Sequence, residues 1–206
     1  MVVYNRAMSR QRTTSDADVL AAAGRVIARL GPARFTLADV SAESGLAPAT
    51  LLQRFGSKRG LLLAFAKMGE DSVAECFAQL RRTHSSALAT LFGAVEEMSR
   101  HAQTPEAMAN SLTFMQIHLT DPDFHRLAVE STRAIVAGFQ KLLDEAVSAR
   151  ELARCDTARL AQVIDALRYG SMLTWAIHRE GSVGKWLRAD LRMLLAPLRK
   201  SSKCRN

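Results

Sequence analysis

Residues 48–58 hold side chains suited to reading a nucleic acid. Leu51 and Phe55 lie four apart after Pro48, so in a helix they share a buried face. Gln53 then falls opposite them, flanked by Ala49 and Thr50. An amide at that place can pair with adenine, and Thr50 or Ala49 can meet a thymine methyl. Arg54 projects to one side, toward a phosphate. Lys58 follows Ser57 at the start of a further helix, where free amides and an ammonium group together make a phosphate seat. Thr36, at the start of an earlier segment, offers a similar seat.

These groups need a rigid frame, and the flanking residues supply one. Thr36 with Asp39 three residues on is a capping-box-like helix start, and Gly45 permits the left-handed turn that ends that helix. Ser41, four before Gly45, is small enough for two helices to cross there. Pro48 fits the first turn of the second helix. The pair is a helix-turn-helix over about 36–55, whose second helix enters a major groove. Before it, Val19, Leu20, Ala23, Val26, Ile27 and Leu30 predict a helix from Asp16 to Leu30, stopped by Gly31-Pro32. After it, Leu61, Leu62, Phe65, Met68, Val73 and Phe77 predict one long helix from Lys58 to about Leu80. Residues 1–14, with Arg6, Arg10 and Arg12, are expected to form a flexible basic arm, with Arg10 and Arg12 on phosphates or in a minor groove.

Charge agrees with this placement. Residues 1–67 carry 10 Lys/Arg against 4 Asp/Glu, and residues 68–206 carry 18 against 16. A basic first third on a near-neutral body suits double-stranded DNA as the partner. The chain has no uncharged apolar run long enough to cross a membrane, and Met1 to Thr14 lack the apolar stretch that a secretory signal needs. Three scattered cysteines (Cys76, Cys155 and Cys204) make no disulfide framework, so a cytoplasmic location is expected. No Gly-rich phosphate loop, paired-histidine zinc motif or nucleophile elbow occurs, so neither an enzyme nor a metal or cofactor site is expected.

The run Phe35-Thr36-Leu37-Ala38-Asp39-Val40, then Gly45-Leu46, Thr50-Leu51 and Phe55-Gly56-Ser57-Lys58-Arg59-Gly60-Leu61-Leu62 resembles the DNA-binding signature of the TetR family of transcriptional regulators. The likeness covers about residues 15–65. The stretch from Tyr169-Gly170 to Trp175, with Trp186-Leu187 and Leu194 to Pro197, also resembles the C-terminal ends of many members. The resemblance implies a homodimeric repressor that binds a palindromic operator and is released by a small-molecule effector. Two positions depart from the pattern. Leu52 stands where the family commonly has a phosphate-binding tyrosine, and Ala47 stands where a serine often caps the recognition helix.

Beyond residue 80 the periodicity predicts helices near 87–102, 105–119, 122–150, 156–180 and 183–198, which makes the fold class all-α. The domains expected are the arm 1–14, a three-helix DNA-binding domain over 15–65, and a ligand-binding and dimerisation domain over 66–206. Adaptable and aromatic side chains mark a ligand cavity: Met98, Phe114, Met115, Phe139, Met172 and Trp175. His101, His118 and Tyr169 are placed to orient the ligand, whose identity is unknown. Apolar faces at Leu160, Val163, Ile164, Leu167 and Met172, and at Trp186, Leu187, Leu191, Leu194 and Leu195, predict a homodimer through 156–198. A helical DNA-binding protein without an effector is the second reading, and an enzyme a distant third.

Overall fold

Helix boundaries follow the side chains that cap or interrupt the backbone ladder. The computed structural model describes residues 14–199, so Arg10, Arg12 and the Lys/Arg residues after Arg199 lie outside the described residues. Helix α1 (Asp16–Arg34) begins at Ser15, whose side chain accepts the Asp18 N–H while the Asp18 carboxylate accepts the Ser15 N–H at 3.0 Å. Its regular part ends at Gly31 (φ 79°, ψ 160°), as expected, and one more turn carries the chain to Phe35. Thr36 and Asp39 close the predicted capping box on α2 (Leu37–Ser44), and Gly45 ends that helix at φ 75°. Helix α3 (Pro48–Phe55) and helix α4 (Lys58–Asp71) follow, the second capped by Ser57. A Cβ on Gly60 would run into the Phe55 carbonyl oxygen, so the turn between them has no room for a side chain there.

Two predicted helices are broken. The long helix from Lys58 divides at Ser72 into α4 and α5 (Val73–Thr83). Ser72 donates its hydroxyl to the Gly69 carbonyl at 2.9 Å, and a glycine and a competing serine within one turn loosen the ladder. Helix α6 (Ala87–Glu97) stops short of 102, and a separate 3₁₀ turn spans Arg100–Ala102. There the Met98 carbonyl accepts from Arg168 at 3.0 Å, and Ser99 donates to the Val95 carbonyl at 2.7 Å. Helices α7 (Pro105–Thr120), α8 (Pro122–Ser148), α9 (Thr157–His178) and α10 (Val183–Leu195) lie within a few residues of expectation, with caps at Thr104, Asp121 and Asp156. Among the described residues no strand forms, apart from a lone bridge between Leu152 and Arg199. The fold is all-α.

Two apolar cores result. The first gathers Val19, Val26, Phe35, Val40, Leu51 and Leu61 from α1–α4, and it is completed by Phe124 of α8 with Phe114 and Ile117 of α7. The second joins α6, α8, α9 and α10 around Leu91, Phe139, Leu143, Ile164, Met172, Leu187, Leu191 and Leu195. The last five of these were expected at the dimer face or the cavity. They are interior instead, because α9 and α10 turn their most apolar sides onto α6 and α8. The exposed large apolar residues of these two helices are Leu173 (41 % exposed), Ile177 (71 %) and Met193 (79 %). Leu191→Ala should therefore cost about 2–5 kcal/mol in denaturant unfolding, as a cavity in a packed core does, and Met193→Ala well under 1 kcal/mol.

Candidate nucleic-acid interface and internal cavity

Helix α3 turns Leu51 wholly inward and leaves Pro48, Ala49, Leu52 and Gln53 exposed, with Thr50 and Phe55 half-buried. Ser41 fixes its angle to α2 by donating to the Leu46 carbonyl at 2.6 Å across the Gly45 turn. Ala47 offers no side-chain cap, and Pro48 occupies the first turn in its place. Leu52, 48 % exposed beside Gln53, gives this face an apolar contact where a phenol would give a hydrogen bond. Arg54 donates to the Thr14 carbonyl at 2.8 Å and pairs with Asp16 at 3.1 Å, so it ties the end of α3 to the start of α1.

The two expected phosphate seats differ. Asp39 accepts both the N–H and the hydroxyl of Thr36, each at 2.7 Å. Those bonds hold its carboxyl below the ordinary range, and a carboxylate partly fills the seat at α2. At α4 the Ser57 hydroxyl accepts the Gly60 N–H at 2.9 Å. Lys58 lies over the Phe35 ring, 4.5 Å from its centroid, and donates to the Ala33 carbonyl at 2.9 Å. That seat holds a cation and no carboxylate.

Arg59, which the sequence reading passed over, joins the two halves of the molecule. Its guanidinium bonds Asp121 at 2.9 Å and Asp123 at 2.8 Å, at the turn between α7 and α8, and lies 5.6 Å from the Phe124 ring centroid. Asp121 is held below its ordinary pKa chiefly by this bond. Some three turns earlier on α7, Asn110 donates to the Ala28 carbonyl of α1 at 2.8 Å.

Between α1, α4, α7, α8 and α9 lies a cavity of about 310 Å³. Met98, His101, Phe114, Met115, His118 and Tyr169, all expected there, line it. Phe139, Met172 and Trp175 do not. Phe139 packs edge-on against Phe77 at 5.7 Å, Met172 is fully buried in the second core, and the Trp175 indole donates to the Gly181 carbonyl at 3.3 Å. The wall also includes Gly24, Ile27 and Ala28 of α1 and Phe65 and Gly69 of α4, so a ligand there touches the helices that carry the recognition element.

The cavity's one cationic side chain is Arg168, 2 % exposed and paired with Asp165 at 2.8 Å. Its burial and its partners, Asp165, the Met98 carbonyl and the Tyr169 ring 4.2 Å away, were not legible from spacing alone. The atoms packed around it and the Arg168 charge push the His101 pKa down to about 4, against a hydrogen bond that the imidazole donates to the Met98 carbonyl, although the residue keeps an exposed edge at the cavity mouth. Loss of solvent also lowers His118, whose Nε2 is buried without a hydrogen-bond partner. Both imidazoles are neutral at pH 7. Among the described residues no group of three or more His, Cys, Asp or Glu is arranged to hold a metal ion. No described helix is long and apolar enough to cross a membrane.

Residues 19–65 match the family described as bacterial regulatory proteins, tetR family. No curated protein is similar enough to match. Solved structures similar in fold include a TetR-family transcriptional regulator from Agrobacterium tumefaciens, 22 % identical with a TM-score of 0.68, over 90 % of this chain and 97 % of that one. A regulator from Saccharomonospora viridis solved with choline is 19 % identical with a TM-score of 0.73, over 90 % and 97 %. FadR from Bacillus subtilis, solved with stearoyl-CoA, is 16 % identical with a TM-score of 0.65, over 89 % and 100 %.

The histidines set a pH dependence. A group whose folded pKa is depressed takes up its proton more readily in the unfolded chain, so stability falls as pH drops below the unfolded value. For His101 the window runs from 6.5 down to about 4, above the range in which Asp39 and Asp121 titrate. Urea unfolding measured from pH 7 to pH 5 should show stability decreasing with acid, and His101→Gln should flatten that slope. An unchanged slope in the variant would exclude His101 as its source.

Proposed function

We propose that this chain, whose residues 19–65 match the tetR family of bacterial regulatory proteins, is a transcriptional regulator of that kind, a ligand-released repressor acting on a palindromic operator. The observation that carries this reading is the shared wall: a cavity lined by α1 and α4 on one side and by α7–α9 on the other. In the proposed complex α3 lies in the major groove, with Gln53 on a base and Ala49 and Thr50 on thymine methyls. Lys58 leaves Ala33 for a phosphate, and Thr36 and Arg54 flank the same backbone. Arg10 and Arg12 reach the DNA from the arm. The protein has no catalytic role in this reading and works in the cytoplasm, where its DNA is.

A palindrome needs a two-fold dimer, with its recognition helices about one helical turn of DNA apart. The dimer face proposed here remains within 156–198, but it is built on the outward sides of α9 and α10. Ala166, Gly170, Leu173 and Ile177 follow one another along α9, all exposed, and Met193 lies on α10. Two small residues followed by two large apolar ones on one exposed face give helices from two copies a place to pack together. Choline and stearoyl-CoA in the two relatives differ so widely that neither identifies the effector here.

Titration on the operator and on scrambled DNA at several salt concentrations tests the interface. Gln53→Ala should cost about 1–3 kcal/mol on the operator and relax preference at one position of each half-site. Lys58→Ala should weaken binding to both DNAs and make the salt dependence shallower by about two counterions per dimer. If Lys58→Ala alters sequence preference while Gln53→Ala changes only the salt slope, the orientation of α3 is wrong. Light scattering on Ile177→Glu with Met193→Glu should give a monomer at micromolar concentration; a dimer would place the interface elsewhere.

A further inference from the structure

The cavity's lining restricts what it can hold. No carboxylate lines it, and its one cationic group, Arg168, is already neutralised by Asp165. The imidazole Nε2 of His118 is buried with no hydrogen-bond partner, which is costly unless a bound molecule satisfies it. His118 is itself held edge-on by Phe114, at 4.5 Å between ring centroids, which fixes the orientation of the imidazole. Phe65 and Phe114 stand 6.0 Å apart at 59°, and Met98 and Met115 complete the apolar surface. Tilted rings and thioethers favour a flat aromatic guest through edge-to-face and sulfur–ring contacts.

Size sets a second limit. An apolar cavity of roughly 150 Å³ holds a benzene ring. At about 310 Å³ this one accommodates a single ring with polar substituents. A cation entering it would meet no carboxylate, and burying an unpaired charge is strongly unfavourable.

Resting on the reading of this cavity as the effector site, we propose that its ligand is a small aromatic weak acid, one ring bearing a carboxyl or phenolic hydroxyl, and that organic cations are rejected. The acidic group bonds His118 Nε2 or the His101 imidazole, and the ring packs against the Phe65–Phe114 pair. His101, neutral at pH 7, supplies an acceptor for a phenol or takes up a proton beside a carboxylate.

Thermal shift and calorimetry on the full chain, with benzoate, phenol and phenyltrimethylammonium as probes of similar size, test the proposal. Benzoate or phenol should raise Tm in a saturable way, and the cation should not. His118→Phe keeps the ring contacts with Phe114 and Phe124 and removes the nitrogen, so the variant should fold with an equal or higher Tm. Its affinity for the bound probe should fall tenfold or more. Stabilisation by the cation, or undiminished binding in His118→Phe, overturns the assignment of chemical class. If the cation's effect is also lost when Ala107→Phe fills the cavity, the effector site itself stands and only its chemistry is reassigned. If benzoate and phenol fail and no member of a broad compound library shifts Tm, the effector reading falls as well.

Discussion

The core of the first four helices is not closed by those helices. Val19, Val26, Phe35, Leu51 and Leu61 pack around a Phe124 that belongs to α8, and Phe114 and Ile117 of α7 lie against the same cluster. A unit of some fifty residues buries too little apolar surface to be robust alone, and borrowing three large side chains from the body supplies what it lacks. The polar contacts repeat the arrangement: Arg59 holds the α7–α8 turn, and Asn110 holds the end of α1. Exposed ion pairs contribute little to stability, so Arg59 acts chiefly to fix orientation, with the shared core supplying the cohesion.

That sharing makes the cavity relevant to DNA. Its wall includes Gly24, Ile27 and Ala28 on α1 and Phe65 and Gly69 on α4. Helix α4 begins at the Lys58 seat and ends at the Ser72 break, one turn beyond Gly69. A guest that presses on Phe65 or Gly24 therefore works on a short rigid rod with a loosened far end. In the proposed dimer, tilting that rod would move α3 of each copy and change the spacing a palindrome requires. Any such coupling is reciprocal, since ligand and DNA bias the same two arrangements.

Local chemistry was legible in the sequence, and long-range partners were not. The Thr36–Asp39 box, Gly45, Pro48 and Ser57 each act on backbone within four residues, so their types and spacing were enough to place α2, α3 and the start of α4. The breaks at Ser72 and Ser99 depend on which carbonyl a side chain captures, and at Met98 the captor lies seventy positions away on Arg168. Amphipathic spacing showed that α9 and α10 have apolar faces. It did not show which side meets the body, and so Leu187 and Leu191 were assigned to a dimer contact when they fill the core. Six of nine cavity residues were found because Met, His and aromatic side chains cluster on α7 and around it. Phe139, Met172 and Trp175 are of the same types, and only the packing of α8 and α9 distinguishes them.

The central claim is that occupying the cavity disturbs the DNA-binding helices through the wall they share. Ser131 of α8 lines this cavity and the lobe adjoining it, so Ser131→Phe places a ring there without any ligand. Fluorescence anisotropy with the operator duplex, run in parallel on wild type and variant, measures the consequence directly. The account predicts that the variant remains folded and dimeric but binds the operator about tenfold or more weakly. A folded Ser131→Phe dimer with wild-type operator affinity would contradict it.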